Sequence, residues 1–314
     1  MYTLPESVKS DLRKIAEEID SASLRKGYAS ISKAYGSSAF GKKMSRCEAV
    51  AYAVARMPAT FGAISYVINR FRKKVPGFRF DKVLDAGSGT GALAAFFISE
   101  GINVAYTAVE KDGNMAKVFT QLTKGCGFFV ELFEEDSGDF FDKFKDRKFG
   151  CSFLVYSLNE MKDKIGILKK IFAATEDFVF VIEPGTPEGF KNILSAKKLA
   201  NSEGCSVVAP CVSENCGLRE DDWCHFCVRI SRSEDHVRIK NASLFREDEK
   251  FSYIITARNS FKPVCGDRII KRPMKRSGHI IFDVCSENGI KRKVLANGTV
   301  KGKYLWGDEL ERKQ

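Results

Sequence analysis

The chain has 314 residues, of which 44% are hydrophobic and 29% charged. That is enough apolar material for one large domain or two modest ones, and too much for a disordered chain. The net charge is +11, and from Arg229 to Gln314 there are 20 Lys and Arg against 11 Asp and Glu, so +9 of the surplus lies in the last quarter; a polyanionic partner, most often a nucleic acid, is expected there.

No apolar run approaches the roughly 20 residues that cross a bilayer, so no membrane partner is expected. The opening MYTLPESVKSDLRKIAEEID has neither the apolar stretch of a secretory signal nor the acid-poor pattern of a transit peptide. A bacterial cytoplasmic location is the simplest expectation, and with it reduced thiols rather than disulfides. Of the ten cysteines, Cys47, Cys126 and Cys151 lie in apolar or helical surroundings and read as small core residues.

In chain order, Glu6 to about Tyr35 is helical, with apolar positions at Leu12, Ile15, Ile19 and Leu24. A second helical stretch covers Arg46 to Arg72, where Pro58 is expected to kink or break it. Residues 1–75 therefore read as an N-terminal helical region. From Phe80, candidate strands at Lys82–Ala86, Ala105–Glu110, Phe128–Phe133, Cys151–Ser157 and Phe178–Glu183 alternate with helical patterns at Ala92–Glu100, Asn114–Lys124 and Lys164–Ala174. The alternation predicts an α/β fold, a parallel sheet with helices on both faces, over residues 76–204. Residues 205–314 hold a cysteine-rich segment and a basic, β-rich tail with strand-like runs at Phe251–Ala257, Gly278–Cys285 and Lys291–Leu295. Part of that tail is able to complete the central sheet.

VLDAGSGTGALAAFF, Val83 to Phe97, reads as a strand ending near Asp85, a turn holding Gly87, Ser88, Gly89, Thr90 and Gly91, and an opening helix. Such a turn brings backbone N–H groups and a helix N-terminus close to a ligand. The run is not the G-x-G-x-x-G of dinucleotide folds; with the acid before the first glycine it resembles motif I of the S-adenosylmethionine-dependent methyltransferases. Glu110 closes the next strand 25 residues after Asp85, where a carboxylate is suited to accept both ribose hydroxyls of an adenosine. The expected fold is therefore a Rossmann-like class I methyltransferase fold. A Rossmann-like domain that keeps the loop only as a turn is the alternative. No NPPY-type motif for amino-group methylation is present. YSLNE, Tyr156–Glu160, ends the fourth strand; Asn159 and Glu160 are weak catalytic candidates, and equally a helix cap and a first-turn acid. EPGTPEGF reads as a turn leaving the fifth strand, with Glu183 a third weak candidate or a structural carboxylate.

PCVSENCGLREDDWCHFC places Cys211, Cys216 and Cys224 in C-x4-C-x7-C, with Cys227 just after and Cys205 before. Four thiolates satisfy a structural zinc or a four-iron cluster. The spacing lacks the paired C-x2-C knuckles of zinc fingers and ribbons. His225 is expected to pack on Trp223 or support a ligand from behind, and His236 and His279 to be surface or strand residues.

VIEPGTPEGF (Val181–Phe190), the run from Ala209 to Ser233 with DWCHFC, EDEKFSYIITAR (Glu247–Arg258), HIIFDVC (His279–Cys285), ARMPATF (Ala55–Phe61) and DAGSGTGA occur in one order. Together they resemble the Rsm-type family of methyltransferase-like small-ribosomal-subunit proteins, over nearly the whole chain. That family includes mitochondrial ribosome assembly factors, which work in the mitochondrial matrix, and bacterial relatives. The resemblance implies binding of S-adenosylmethionine and of the small ribosomal subunit or its rRNA, without DNA, during ribosome assembly. A base of that rRNA is the implied acceptor if the protein is a methyltransferase. It also implies a four-iron, four-sulfur (4Fe-4S) cluster on Cys211, Cys216, Cys224 and Cys285, with Cys205, Cys227 and Cys265 as non-ligands. A local zinc site on Cys211, Cys216, Cys224 and Cys227 is the alternative. For RNA, Arg229, Arg232, Arg238, Lys271, Arg272, Lys275 and Arg276 are candidate phosphate contacts, with Tyr253, Phe261 and Trp306 as candidate groove aromatics.

Overall fold

The computed structural model describes residues 1–36, 43–213, 215–219, 221–261, 266–299 and 304–310. Cys265 lies outside them. Three helices lead: α1 (Glu6–Glu17), α2 (Ser21–Gly36) and α3 (Arg46–Lys74). Asp20 starts α2 by accepting the Ser23 N–H at 2.9 Å. Ser45 opens α3 with a capping box, its hydroxyl accepting from Glu48 N while Glu48 accepts from Ser45 N. The expected break at Pro58 does not occur, since the helix runs on to Lys74 with Pro58 buried inside it. Proline costs a helix about 3 kcal/mol. Burial of Met57, Phe61, Ile64, Val67, Ile68 and Phe71 along the same helix far outweighs that.

The α/β alternation follows: β1 (Lys82–Ala86), α4 (Ala92–Glu100), β2 (Ala105–Val109), α5 (Gly113–Thr123), β3 (Phe129–Phe133), α6 (Ser137–Lys143), β4 (Phe149–Val155), α7 (Lys164–Ala174) and β5 (Thr175–Pro184). The chain continues through α8 (Pro187–Ser202), β6 (Ser206–Ala209), β7 (Phe226–Ser231), α9 (Glu234–Lys240) and β8 (Arg246–Ala257). Helix α8 follows the EPGTP turn directly, where the sequence suggests only a turn. Thr186 caps it by accepting from Gly189 N, and Pro187 occupies its first turn, where a missing N–H costs nothing.

The central sheet has the order β3-β2-β1-β4-β5-β8-β6, with β7 also paired to β8. Strands β1 to β5 pair in parallel, whereas β8 runs antiparallel to β5 and β6. Five parallel strands with a reversed strand inserted beside the fifth form the class I methyltransferase sheet. Helix α3 packs against α4, α5, β7 and β8. Phe71 meets Phe178 and Phe180 edge-on, with centroids 4.8 and 5.0 Å apart, while Phe153 and Phe180 stack at 4.3 Å between β4 and β5.

A second sheet contains β9 (Asp267–Ile269), β10 (Met274–Lys275), β11 (His279–Ser286), β12 (Gly289–Ala296) and β13 (Glu309–Leu310). Its order is β10-β11-β9-β13, with β12 paired to β11. Phe282 and Val284 turn inward onto Ile269 and Leu310. By strand alternation, Asp283 and Cys285 face the other way.

Candidate functional site

The turn after β1 is shaped by three left-handed glycines, Gly87, Gly89 and Gly91, at φ +80°, +56° and +95°. A Cβ on Gly87 would lie 2.5 Å from that of Ser157, and one on Gly91 3.0 Å from the Phe119 ring. Gly87 and Ser88 donate their N–H groups to the Val109 carbonyl at the end of β2. Above the carboxyl ends of β1, β2 and β4 lies a cavity of about 260 Å³. Asp85, Gly87, Ser88, Gly89, Thr90 and Glu110 line it, while Gly91 ends the turn behind them. Met44, Tyr52, Met57 and Thr60, from α3 and the segment before it, form a further wall that carries no recognisable motif.

Asp85 and Glu110 are only 2% and 8% exposed. Asp85 accepts the Tyr106 hydroxyl at 2.5 Å, and Glu110 accepts the N–H groups of Gly89 and Asp112, each at 2.8 Å. Burial pushes Asp85 up to about 7, against the Tyr106 hydrogen bond and with help from the nearby Glu110 charge. Burial also pushes Glu110 up to about 7, against its two N–H donors. The cavity thus holds two desolvated carboxylates that a cationic ligand would return to the charged state.

The catalytic candidates separate. Glu160 lines the cavity, whereas Asn159 and Glu183 do not. Glu183 is fully buried; it accepts from Leu158 N and from Asn192 Nδ2, and Asn192 Nδ2 also donates to Asn159 Oδ1. Burial pushes Glu183 up to about 8, against those hydrogen bonds. It therefore supports the turn after β4 rather than the PGTP turn. In that turn Tyr156 adopts φ +56°, a conformation that costs a tyrosine about 1–3 kcal/mol. Its hydroxyl donates to Glu249 Oε1 at 2.9 Å, and the same oxygen accepts Arg56 Nη2 at 3.0 Å. Helix α3, the end of β4 and strand β8 are locked together beside the cleft. Only the fold reveals this link, because the three residues are far apart in the chain.

A second cavity, of about 40 Å³, lies between α8, the loop after β6 and the β11–β12 hairpin. Cys211, Cys216, Cys224 and Cys285 all line it; Cys205 and Cys227 do not. On β7, Phe226 faces the cavity, so the next residue, Cys227, points to the opposite side. Gly217 allows the loop to approach the hairpin, since a Cβ there would stand 3.2 Å from Ile290 N. Burial raises the thiols of Cys211, Cys224 and Cys285, and the proximity of the other cysteines adds to the effect. The four thiols share a cavity but are not drawn in to ligand spacing. Among the described residues, no group of three or more His, Cys, Asp or Glu side chains stands ready to hold a metal ion. His225 stacks on Trp223 at 5.8 Å and meets Trp306 edge-on at 4.5 Å.

The sequence model of the mitochondrial small ribosomal subunit Rsm22 family matches residues 46–310. This chain belongs to the Rsm22 family. The human mitochondrial ribosome assembly protein METTL17 is 25% identical over an alignment 287 residues long, which covers 82% of this chain and 61% of the human one. The chain thus spans less than two thirds of that relative. Among solved structures, the plantazolicin methyltransferase BamL is 10% identical, covering 80% of this chain and 100% of its own, with a TM-score of 0.46. Magnesium protoporphyrin IX methyltransferase from Synechocystis PCC 6803 is also 10% identical, covering 77% of this chain and 100% of its own, with a TM-score of 0.42. Among the described residues, no helix is long and apolar enough to cross a membrane.

In this Rsm22-family chain the seven candidate RNA contacts divide by pairing. Arg229 is held by Asp248 at 2.6 Å, Arg232 by Glu247 at 3.0 Å and Arg238 by Asp235 at 3.4 Å. Lys271 reaches Asp222 at 3.1 Å. Arg272, Lys275 and Arg276 are exposed around β10 and have no ion pair among the described residues. Tyr253 is fully buried on β8, so it is not the groove aromatic expected from sequence. Trp306 and Phe261 are partly buried against the main core. His236 is not a surface residue either. It is fully buried on α9, 3.3 Å from Glu247, because α9 packs under α2 and α3.

Proposed function

We propose that the chain binds S-adenosylmethionine in the 260 Å³ cleft and acts on the small ribosomal subunit during its assembly. The observation that carries this reading is the pair of buried carboxylates, Asp85 and Glu110, beside a turn where Gly87 and Gly91 leave no room for side chains. The ligand supplies a sulfonium, an ammonium and ribose hydroxyls, which match two carboxylates. When bound, it supplies an electrophilic methyl carbon, and the protein has only to align an acceptor with it. A base of small-subunit rRNA is the acceptor proposed, with Glu160 at the cleft and Arg272, Lys275 and Arg276 on phosphates. Family membership and the name of the human relative support the ribosomal partner.

The thiols of Cys211, Cys216, Cys224 and Cys285 form the donor set of a metal centre, read as an iron–sulfur cluster with zinc as the rival. Their shared cavity supports this. Metal analysis and the visible spectrum of anaerobically purified protein separate iron–sulfur from zinc. Cys285→Ser should lower the metal content, whereas Cys227→Ser should not.

Isotope-labelled S-adenosylmethionine, incubated with the protein and immature small subunits, tests the main reading. Transfer of label to rRNA supports methylation. A second reading, a cofactor-binding assembly factor without transfer, is favoured by the way Asn159 and Glu183 are tied up in internal hydrogen bonds; binding without label supports that one. Absence of binding at any attainable concentration refutes both.

A further inference from the structure

The cysteine cavity carries a positive charge that the fold alone does not explain. Lys197, on α8, is 4% exposed and lines the cavity with the four cysteines. Its ammonium donates to the Ser213 carbonyl at 2.7 Å and forms no ion pair with a carboxylate among the described residues. Lysine is almost never fully buried without a counter-charge, and removing an ammonium from water costs several kcal/mol. One carbonyl dipole offsets only part of that. Arg268 lines the same wall at 2% exposure, but it is satisfied by the Pro210 and Gly307 carbonyls and by Glu309, at 2.8 Å. The cavity therefore contains an ammonium in excess.

Neutral thiols do not balance it. Four thiolates around a dipositive core, whether zinc or an iron–sulfur cube, leave a dianion. Lys197 shares the cavity wall with both Cys211 and Cys285, one proposed ligand from the loop and one from the hairpin. We propose that Lys197 is the buried counter-charge of a four-thiolate centre, a positioning residue that keeps the metal in place without ligating it. This rests on the metal-centre reading above.

The test uses the full chain purified without oxygen, as wild type and as Lys197→Arg, Lys197→Gln and Lys197→Met. Metal content is measured first, then the rate of metal release to excess chelator. Arginine keeps the charge, glutamine keeps a donor for Ser213 without it, and methionine keeps only the bulk. The Arg variant should release metal within about threefold of wild type. The Gln and Met variants should release it about tenfold faster or more, the scale at which groups behind metal ligands act. Release by the Gln variant at the wild-type rate overturns the inference, as does an Arg variant as leaky as Met. If the Met variant does not fold by circular dichroism, the Arg and Gln pair decides alone. Metal in the wild type with unchanged variants refutes the role of Lys197 only. A wild type that holds neither iron nor zinc refutes the centre itself.

Discussion

Lowering the pH from 7.5 to 5.5 should weaken S-adenosylmethionine binding sharply. Burial raises both Asp85 and Glu110 to about 7 in the free protein. A cationic ligand binds best when they are ionised, so affinity should be full above 7 and fall as the pH drops through it. A group with that pKa is about three-quarters ionised at pH 7.5 and about 3% at pH 5.5. If one carboxylate meets the ligand's charge, the apparent Kd rises about 25-fold, or about 1.9 kcal/mol. If both do, the rise reaches several hundredfold. Over this window the ligand keeps its sulfonium charged, and its ammonium only gains charge as the pH falls, so a loss of affinity reports the protein. Isothermal titration calorimetry across the range, in buffers of different ionisation enthalpy, gives both Kd and the number of protons released on binding. Glu110→Gln should weaken binding at pH 7.5 and flatten the profile. An affinity independent of pH, with no protons released on binding, would refute the argument from buried carboxylates.

Gly87→Ala adds a Cβ 2.5 Å from Ser157 Cβ at a φ of +80°; it should cost about 1–3 kcal/mol and lower Tm by several degrees, read by thermal circular dichroism. Among the described residues, Arg56→Met leaves the buried Glu249 with only the Tyr156 hydroxyl. The cost in chemical denaturation should fall near the lower end of about 3–5 kcal/mol, since Arg56 keeps 29% exposure. Reversing Arg272, Lys275 and Arg276 to Glu should weaken rRNA binding. It should also shrink the salt slope by about 0.7 for each single-strand phosphate that is no longer neutralised, measured by filter binding. Arg229→Ala and Arg238→Ala should change that binding far less, because those charges are already paired within the chain.

Much of the methyltransferase-like core is legible locally. The run from Val83 to Phe97 and the acid at Glu110 report strand, turn and helix through near neighbours alone. Features decided by distant partners are misread from sequence. Pro58 reads as a breaker because propensity counts only the missing N–H, whereas surrounding helices and strands bury the helix on either side of it. His236 and Tyr253 read as available polar groups, yet α9 and β8 fold them inside. Helix α8 is hidden behind two prolines that also suit a turn. The left-handed Tyr156 leaves no trace in the sequence, because its conformation is held by Glu249, 93 residues later.

The sequence by itself marked the candidate groups: a glycine turn, two acids at strand ends, a cysteine-rich loop and a basic tail. The side-chain period of a strand and the dihedral freedom of glycine are local properties, so residue order suffices for them. Tertiary structure decided which of those groups meet. It brought Cys285 to the cavity and turned Cys227 away. It paired four of the seven candidate cations with acids and buried Lys197 beside thiols it never neighbours in sequence. Burial and charge pairing depend on elements far apart along the chain, and only their packing sets the dielectric and the partner each group finds.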